Sequence, residues 1–302
     1  MSDADTFLAV VNPAAGGGRC RKLVPEALDR LRAGGIKLDV VETTAPGQGA
    51  HLTRDGYARG YRKFIAVGGD GTSYEIVNGL FPRRASDEPA TLAFLPLGTG
   101  NSFLREFSNR GIDHALEALL AGRSQPCDVL RLRHTEGVLY YINLLAMGFA
   151  ADVAALRARR FSGWGELGYQ SSIFITLARF RRRPFPLRVD GEGEIDRRPC
   201  LFLTFNNSKF TGGTMMIAPR AEVNDGLIEY VRWGPIGRFG LIRNLPTLYD
   251  GTHIHHPLAE RRGATRIDFY LQDPVDAMVD GEVLTLQCQT LDVLPSALRV
   301  VV

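Results

Sequence analysis

The segment at residues 64–79 constrains this chain more than any other, because an apolar run there ends in three glycines around one aspartate, FIAVGGDGTSYEIVNG. The apolar run predicts a buried strand, and the residues after it predict a helix with Thr72 or Ser73 as its N-cap. Glycine lets a backbone approach a ligand closely, and a helix N-terminus presents unpaired N–H groups with a partial positive charge. We therefore expect residues 68–71 to bind phosphate, with Asp70 supplying a carboxylate for a magnesium ion or a substrate hydroxyl.

Two more apolar segments end in loops rich in glycine and small polar residues. Residues 7–11 run into Asn12, Pro13 and then a run of three glycines, and residues 91–96 run into the loop at 97–103. Ligands of open α/β sheets bind outside the carboxyl ends of the strands. A lone Gly-Gly-Asp-Gly could be no more than a tight turn, but three such strand ends together favour a ligand site.

The first part of the chain alternates strands and helices. A helix is predicted at residues 19–31, a strand at 36–41 and a second helix from residue 47 onward. This order predicts a doubly wound α/β nucleotide-binding domain over residues 1–125. No G-x-G-x-x-G follows the first strand and no G-x-x-x-x-G-K-[ST] is present, so we expect backbone amides and hydroxyls to hold the nucleotide.

Short strands separated by glycine and proline turns dominate the rest of the chain. The pattern predicts a strand at 138–145, a mostly helical segment at 152–180, and short strands at 187–190, 201–205, 227–231, 266–270, 277–279 and 285–287. Many short strands of this kind predict a β-rich, antiparallel, sandwich-like domain over residues 126–289. The apolar residues 290–302 could return to pack on the first domain.

Composition limits the location and the partners of the protein. The net charge of +3 is compatible with an anionic nucleotide or membrane surface, but it is too small to indicate nucleic acid. The four cysteines are far apart in sequence, which favours isolated thiols in a reducing cytosol over zinc or disulfides. The longest apolar tract, residues 138–151, is shorter than the roughly 20 residues of a membrane-spanning helix. We therefore expect a cytoplasmic protein.

The order of the motifs resembles that of the bacterial diacylglycerol kinase-like lipid kinases, a family that includes sphingosine and ceramide kinases. The motifs are Asn-Pro-x-x-Gly-Gly at 12–17, Gly-Gly-Asp-Gly-Thr-x-x-Glu-x-x-Asn-Gly at 68–79 and Pro-Leu-Gly-Thr-Gly-Asn at 96–101. Two later motifs, at residues 206–227 and 279–282, extend the resemblance over nearly the whole chain. The resemblance implies an ATP-dependent kinase that transfers the γ-phosphate of Mg-ATP to a hydroxyl of diacylglycerol, a sphingoid base, ceramide or a related lipid.

The resemblance also implies the catalytic residues. Glu282, in an Asp-Gly-Glu motif, would accept the proton of the lipid hydroxyl, provided that burial or neighbouring groups raise its pKa. Asp70 would lie in the magnesium–phosphate network and is the alternative base. Taken alone, the Asp280-Gly281 pair indicates only a hairpin turn, and the choice of base stays open.

The nucleotide-binding residues follow from the same resemblance. The backbone of residues 12–16 and 68–72 would bind the phosphates, and the hydroxyls of Thr44 and Thr99 would contact the nucleotide. The full predicted set is Asn12, Pro13, Ala14, Ala15, Gly16, Thr44, Gly68, Gly69, Asp70, Gly71, Thr72, Glu75, Thr99 and Asn101.

A second cation site is implied at the turn before residue 228. The carboxylate of Asp225, the carbonyl of Leu227 and the carboxylate of Glu222 would bind magnesium or calcium, both of which take oxygen ligands. Two positions depart from the family pattern. Thr214 stands where a third glycine is common, which would narrow the lipid cleft, and Ser102 stands where aspartate is common.

The expected partners are ATP and a membrane lipid, with transient contact with the membrane surface, and a homodimer is left open. The basic run at 179–183 follows apolar residues at 173, 174, 177 and 180, which suits docking on an anionic membrane. A solvated helix end is the alternative interpretation of this run. Two alternative functions are an NAD kinase, which shares the Gly-Gly-Asp-Gly motif, and a nucleotide- or lipid-binding regulator without catalysis.

Overall fold

A computed structural model describes residues 5–83, 87–98, 100–160, 172, 175–176 and 182–302. The chain forms two compact units. One comprises Met1–Val129 together with Leu294–Val302, and the other comprises Leu130–Val293. The sequence predicts this boundary at residues 125/126, and in the structure it lies between Val129 and Leu130.

The first unit is built on a parallel sheet. Strands β1 (Phe7–Val11), β2 (Leu38–Glu42), β3 (Lys63–Gly68) and β4 (Thr91–Pro96) lie in the order β2-β1-β3-β4, all parallel. The last strand of the chain, β20 (Cys288–Val301), pairs in parallel with β4 through Arg299 and Val300. The apolar runs of β1, β3 and β4 are buried almost throughout, as expected of strands covered on both faces.

Helices cover both faces of this sheet: α1 (Arg19–Ala33), α2 (Gln48–Ala58), α3 (Asp70–Leu80) and α4 (Ile112–Ala121). On one face, Leu28 of α1 and Leu116 of α4 share a buried cluster with Val11 and Val67 of the strands. On the other face α2 and α3 pack closely, since a Cβ at Gly79 would lie 2.5 Å from the carbonyl oxygen of Ala50. The predicted doubly wound α/β class is confirmed.

Helix α3 begins earlier than the sequence predicted. Gly69, with extended backbone (φ −125°, ψ −166°), occupies the N-cap position, and no side chain caps the helix. The amides of Thr72 and Ser73 donate to the carbonyl of Gly69. The prediction of Thr72 or Ser73 as N-cap was wrong, because both residues already lie in the first helical turn and are buried there.

The second unit contains a six-stranded antiparallel sheet with the order β16-β15-β12-β7-β18-β19. Outside that sheet, β20 pairs with β5 and β17, β9 pairs with β10 and β17, and β5 pairs with β6. The strands are β5 (Ser124–His134), β6 (Gly137–Tyr141), β7 (Leu144–Gly148), β9 (Leu187–Val189), β10 (Glu192–Asp196), β12 (Phe202–Asn206), β15 (Ile228–Trp233), β16 (Ala259–Ala264), β17 (Arg266–Phe269), β18 (Val275–Val279) and β19 (Glu282–Leu286). The predicted antiparallel, sandwich-like class of this unit is confirmed.

Shorter elements complete the second unit. Strands β8 (Arg183–Pro184) and β11 (Pro199–Cys200) pair, as do β13 (Phe210–Thr211) and β14 (Met215–Met216). Its helices are α5 (Phe149–Arg160), α6 (Arg238–Asn244) and α7 (Thr247–Asp250). Most of the predicted helical segment beyond residue 160 lies outside the described residues.

The predicted single strand at 138–145 is two strands in the structure. Strand β6 ends at Tyr141 and β7 begins at Leu144. The two residues between them turn their amides to a side chain instead of a neighbouring strand, because Ile142 and Asn143 both donate to the carboxylate of Asp280. The apolar run gave no sign of this interruption.

All four cysteines are buried and free. Within the described residues, no helix combines the length and the apolar character needed to cross a membrane.

Candidate active site

The loops that follow β1, β3 and β4 are joined by backbone hydrogen bonds. The amide of Gly98 donates to the carbonyl of Gly68 at 2.7 Å, and the amide of Asp70 donates to the carbonyl of Gly100 at 2.9 Å. The amide of Asn12 donates to the carbonyl of Val67 at 2.9 Å. The three predicted loops therefore meet at one edge of the parallel sheet.

Two of these loops approach each other too closely for side chains. A Cβ at Gly98 would lie 2.8 Å from the backbone nitrogen of Gly69, and a Cβ at Gly69 would lie 2.9 Å from the carbonyl oxygen of Gly100. Gly16 of the first loop has a φ of +63°, and its Cβ would lie 3.1 Å from the carbonyl oxygen of Leu97. Glycine is therefore required at Gly69 and Gly98 because a side chain would clash with the backbone, and at Gly16 also because of its positive φ.

Asp70 lies where these loops meet, at the first position of α3. Both carboxylate oxygens accept the amide N–H of Ser102 at 3.1 Å. Burial raises the pKa of Asp70 above its usual range, although the donors on Ser102 and the amide of Phe103 act in the opposite direction. A carboxyl group with a raised pKa can accept a proton, and a bound cation would stabilise its ionised form. Ser102, which stands where aspartate is common in the family, thus hydrogen-bonds to the Asp70 carboxylate.

An open cavity of about 620 Å³ lies beside the first loop, at the N-terminus of α1. It is lined by Pro13, Ala14, Gly16, Gly17, Gly18, Arg19, Arg21 and Lys22. Within the described chain, the amides of Gly16 and Gly17 donate to no protein acceptor. The first turn of α1 contains no acidic residue. Three cations, unpaired amides and a helix N-terminus together suit an anion such as a polyphosphate.

These three cations are not among the predicted site residues. Their signal was available, since Arg19, Arg21 and Lys22 follow the glycine run directly at the start of a predicted helix. Asn12, which was predicted to bind the nucleotide, shapes this loop because its Oδ1 accepts the amide of Ala14 at 3.1 Å.

Glu75, on α3, and Thr44, in the loop after β2, both contact the beginning of α2. The Glu75 carboxylate accepts the amides of Gly47 and Gly49, each at 2.7 Å, and so holds the N-terminus of that helix. The Thr44 hydroxyl donates to Oε1 of Gln48 at 3.0 Å. The structure thus gives Glu75 a positioning role, and nucleotide contacts by Glu75 and Thr44 stay predictions.

The hydroxyl of Thr72 is buried and makes no hydrogen bond to the described protein. It lies against the glycine turn, because a Cβ at Gly68 would be 2.2 Å from Thr72 Oγ1. A buried hydroxyl without a partner costs free energy, so a ligand or water oxygen would stabilise it. Asn101 Nδ2 donates to the carbonyl of Gly98 at 3.3 Å. Thr99 lies outside the described residues.

The Asp-Gly-Glu motif forms a hairpin turn in the second unit. Asp280 (φ 45°) and Gly281 (φ 90°) connect β18 to β19, and Val279 pairs with Glu282. Asp280 is buried, and its carboxylate accepts three backbone amides, those of Ile142 and Asn143 at 3.0 Å and of Leu144 at 2.9 Å. Asp280 therefore fixes the turn that carries Glu282, a role that the sequence analysis did not assign.

Glu282 itself is exposed. Its role as the proton acceptor stays a prediction.

The predicted second cation site is a tight turn before β15. The amide of Leu227 donates to Oδ1 of Asp225 at 2.9 Å, and Gly226 between them has a φ of 73°. Glu222 is exposed. The described residues contain no group of three or more His, Cys, Asp or Glu side chains that could hold a metal ion. Because the predicted set has only two carboxylates and one carbonyl, this site stays a prediction. Thr214 lies in the exposed turn between β13 and β14.

The fold and the loops define a class of protein. A parallel α/β unit with a Gly-Gly-Asp-Gly turn, followed by an antiparallel sandwich-like unit, is the architecture of a two-domain kinase. Family comparison agrees, since residues 6–132 match the diacylglycerol kinase catalytic domain and residues 143–302 match the YegS C-terminal NAD kinase beta sandwich-like domain. The chain belongs to the diacylglycerol kinase-like family of lipid kinases.

Individual relatives match over most of their length. A diacylglycerol kinase of Mycobacterium tuberculosis is 28% identical over 298 residues, which cover 97% of this chain and 93% of that protein. A candidate YegS-like lipid kinase of Chromohalobacter salexigens is 32% identical over 257 residues, 82% of this chain and 76% of that protein. The crystal structure of a candidate diacylglycerol kinase from Bacillus anthracis shares the fold, with a TM-score of 0.79 at 20% identity over 100% of this chain and 96% of that chain.

Proposed function

We propose that this protein is an ATP-dependent lipid kinase that transfers the γ-phosphoryl group of Mg-ATP to a hydroxyl of a membrane lipid. The observation that carries the proposal is the meeting of three glycine loops around the partly buried Asp70. Diacylglycerol is the first substrate to test, because relatives along nearly the whole chain are named diacylglycerol kinases. A sphingoid base, ceramide and related lipids are the other candidates. The protein would act in the cytoplasm, at the membrane surface.

The residues of the first unit fit a nucleotide triphosphate. The unpaired amides of Gly16 and Gly17 and the cations at the start of α1 would bind its phosphates, and the Thr72 hydroxyl would gain the partner that it lacks in the protein. Phosphoryl transfer depends chiefly on positioning and on neutralising charge, which amides and cations supply. Thr44 and Asn101 would contribute further polar contacts.

Asp70 would hold a magnesium ion beside the nucleotide phosphates. Magnesium keeps several waters and takes few carboxylate ligands, so one aspartate suffices. When bound, the ion supplies positive charge that offsets the charge on the phosphates. Its presence would also stabilise the ionised form of Asp70, whose pKa burial raises. The turn of Glu222, Asp225 and Leu227 would hold a second magnesium or calcium ion with a structural role.

Glu282 is our choice of proton acceptor. The lipid hydroxyl oxygen bonds to the γ-phosphorus, the bond from that phosphorus to the β,γ-bridging oxygen breaks, and ADP leaves. The hydroxyl proton passes to the Glu282 carboxylate, on the turn that Asp280 fixes. Asp70 is the alternative acceptor.

The test is the transfer of labelled γ-phosphate from Mg-ATP to lipids in mixed micelles. The panel contains diacylglycerol, monoacylglycerol, sphingosine, ceramide and phosphatidylglycerol, with NAD as a soluble acceptor. Asp70→Asn and Glu282→Gln remove the two candidate carboxylates, and Asp29→Asn, an exposed residue of α1, is the matched control. We expect label in one lipid, retained in the control and lost in both variants. Label in NAD alone, or in no acceptor while ATP still binds, would overturn the proposal.

A further inference from the structure

The segment from α6 to α7 exposes large apolar side chains on the second unit. Phe239 is 89% exposed, Ile242 is 54% exposed and Tyr249 is 48% exposed. In these exposed positions the side chains gain little stabilisation from burial in the core. Several large apolar side chains exposed on one short segment indicate an interaction surface more strongly than a single scattered residue does.

The other side of the same segment is anchored in the core. Leu241 and Leu248 are buried in a cluster with Phe202 and Trp233, and Leu245 packs against that cluster. The exposed residues Phe239 and Ile242 are three apart on one helix, so they share its outer face. The segment is therefore held firmly while it presents apolar side chains outward.

The charges around these apolar residues are mostly positive. Residues 236–249 include two arginines and no acidic residue, and the exposed Asp250 follows at the end of α7. Arg182 lies beside the start of α6, because a Cβ at Gly237 would be 3.6 Å from its Nη2. Arg182 and Arg243 are exposed, and neither forms an ion pair with any residue that the structure describes.

In the basic run at 179–183, the guanidinium of Arg183 forms an ion pair with Asp152 at 2.6 Å. Residues 179–181 lie outside the described residues. Arg182 is therefore the described cation of the run that remains available, and it lies next to the apolar side chains of α6.

We infer that Phe239, Ile242, Tyr249, Arg182 and Arg243 form the surface, here called the α6–α7 face, that docks the protein on an anionic lipid bilayer. The inference rests on the proposed function, which requires access to a membrane lipid. Aromatic and aliphatic side chains enter the interfacial region, and arginines pair with anionic headgroups. A second copy of the chain is a poorer occupant, because the positive faces of two copies would repel each other and a stable interface needs roughly 20 residues a side.

The test is co-sedimentation of the full chain with vesicles of phosphatidylcholine alone or mixed with phosphatidylglycerol. The apolar variant is Phe239→Ser with Ile242→Ser, and the charge variant is Arg182→Glu with Arg243→Glu. Val138→Ser and Arg197→Glu, exposed residues of the same unit, are the matched controls. We expect the apolar variant to lose about ten-fold or more in binding to mixed vesicles. The charge variant should lose about as much at low salt, and less at high salt.

Binding of either variant to mixed vesicles at the level of the controls would overturn the inference. So would gel filtration that shows a dimer dispersed by Phe239→Ser with vesicle binding intact, because the face would then be an interface between two copies. Transfer to a short-chain diacylglycerol below its micellar concentration separates this result from the proposed function. Docking variants should match the wild type on that soluble lipid and fall behind it on vesicles. Absence of transfer to every lipid would instead contradict the kinase assignment.

Discussion

Asp70 combines a proposed catalytic position with an environment that opposes its charge. Burial raises the pKa of its carboxyl group, so the folded protein holds this proton more tightly than the unfolded chain does. Stability from this group is therefore present at pH values below about 4, the usual pKa of aspartate, and is lost as the pH rises through the raised pKa. The ionised carboxylate thus lowers stability at neutral pH, a common feature of functional residues.

We predict that Asp70→Asn leaves the melting temperature at pH 8 unchanged or higher while it lowers phosphoryl transfer by about 100-fold or more. Asparagine keeps an oxygen that can accept the amide of Ser102 but removes the buried charge. Thermal unfolding at pH 5 and pH 8, with transfer measured on the same samples, checks both parts. A clear fall in melting temperature at pH 8, compared with Asp29→Asn, would contradict this view of Asp70.

Asp280 is the second residue whose carboxylate organises its surroundings. It accepts three amides of the connection between β6 and β7, and asparagine can offer only one side-chain oxygen to them. Because asparagine tolerates a φ near 45°, Asp280→Asn removes acceptors without straining the backbone. We expect a loss of about 2–3 kcal/mol in the free energy of unfolding, measured by urea denaturation. Asp273→Asn, an exposed change nearby in sequence, is the control and should have no measurable effect.

At the scale of elements, the site depends on how closely the loops after β3 and β4 approach each other. Gly98→Ala would place a methyl group 2.8 Å from the Gly69 backbone, which cannot move aside as a side chain can. We predict a loss of about 1–3 kcal/mol in stability and a marked fall in nucleotide affinity, because the loops must separate. Gly237→Ala is the matched control, since its methyl group would meet only ordinary contacts. Calorimetric titration with ATP measures the affinity, and equal affinity in both variants would contradict the prediction.

The N-terminus of α1 offers a second test at this scale. We predict that Arg21→Glu with Lys22→Glu weakens ATP binding by about ten-fold or more at low salt, because each reversal replaces attraction of the phosphates with repulsion. The difference should shrink as ionic strength rises. Arg30→Glu, at the opposite end of the same helix, is the control. An equal effect of this control change would show that net charge matters and the cavity does not.

Local sequence patterns predicted most of the elements and the three loops of the first unit. Period and composition predict strands such as β3, and glycines at strand ends predict where loops approach a ligand. The break at Ile142 and Asn143 could not be predicted, since it depends on hydrogen bonds to Asp280, which is distant in sequence. The role of Asp280 was hidden for the same reason, because its three donors lie more than a hundred residues before it. Arg19, Arg21 and Lys22 are visible in the sequence as three cations directly after a glycine run.

At the scale of the whole molecule, the chain contributes to its first unit from both of its ends. Strand β20 adds to the parallel sheet beside β4, and the Arg299 side chain bonds to the carbonyl oxygen and hydroxyl of Ser124. The amide of Ser296 donates to the buried carboxylate of Asp128 at 2.7 Å. The sheet that carries the glycine loops is therefore completed only when the last residues of the chain are present, and non-local pairing of this kind slows folding.

We predict that Val300→Asp destabilises the first unit by several kcal/mol. Val300 is fully buried and pairs with Leu92 of β4, so the change would place an unpaired carboxylate inside the sheet. Hydrogen exchange measured by mass spectrometry should show peptides from β4 losing protection. Val302→Asp, at a partly exposed position two residues on, should leave these peptides protected. If β4 kept its protection in Val300→Asp, the last strand would not be part of the sheet that holds the glycine loops, and loss of the chain end would leave nucleotide binding intact.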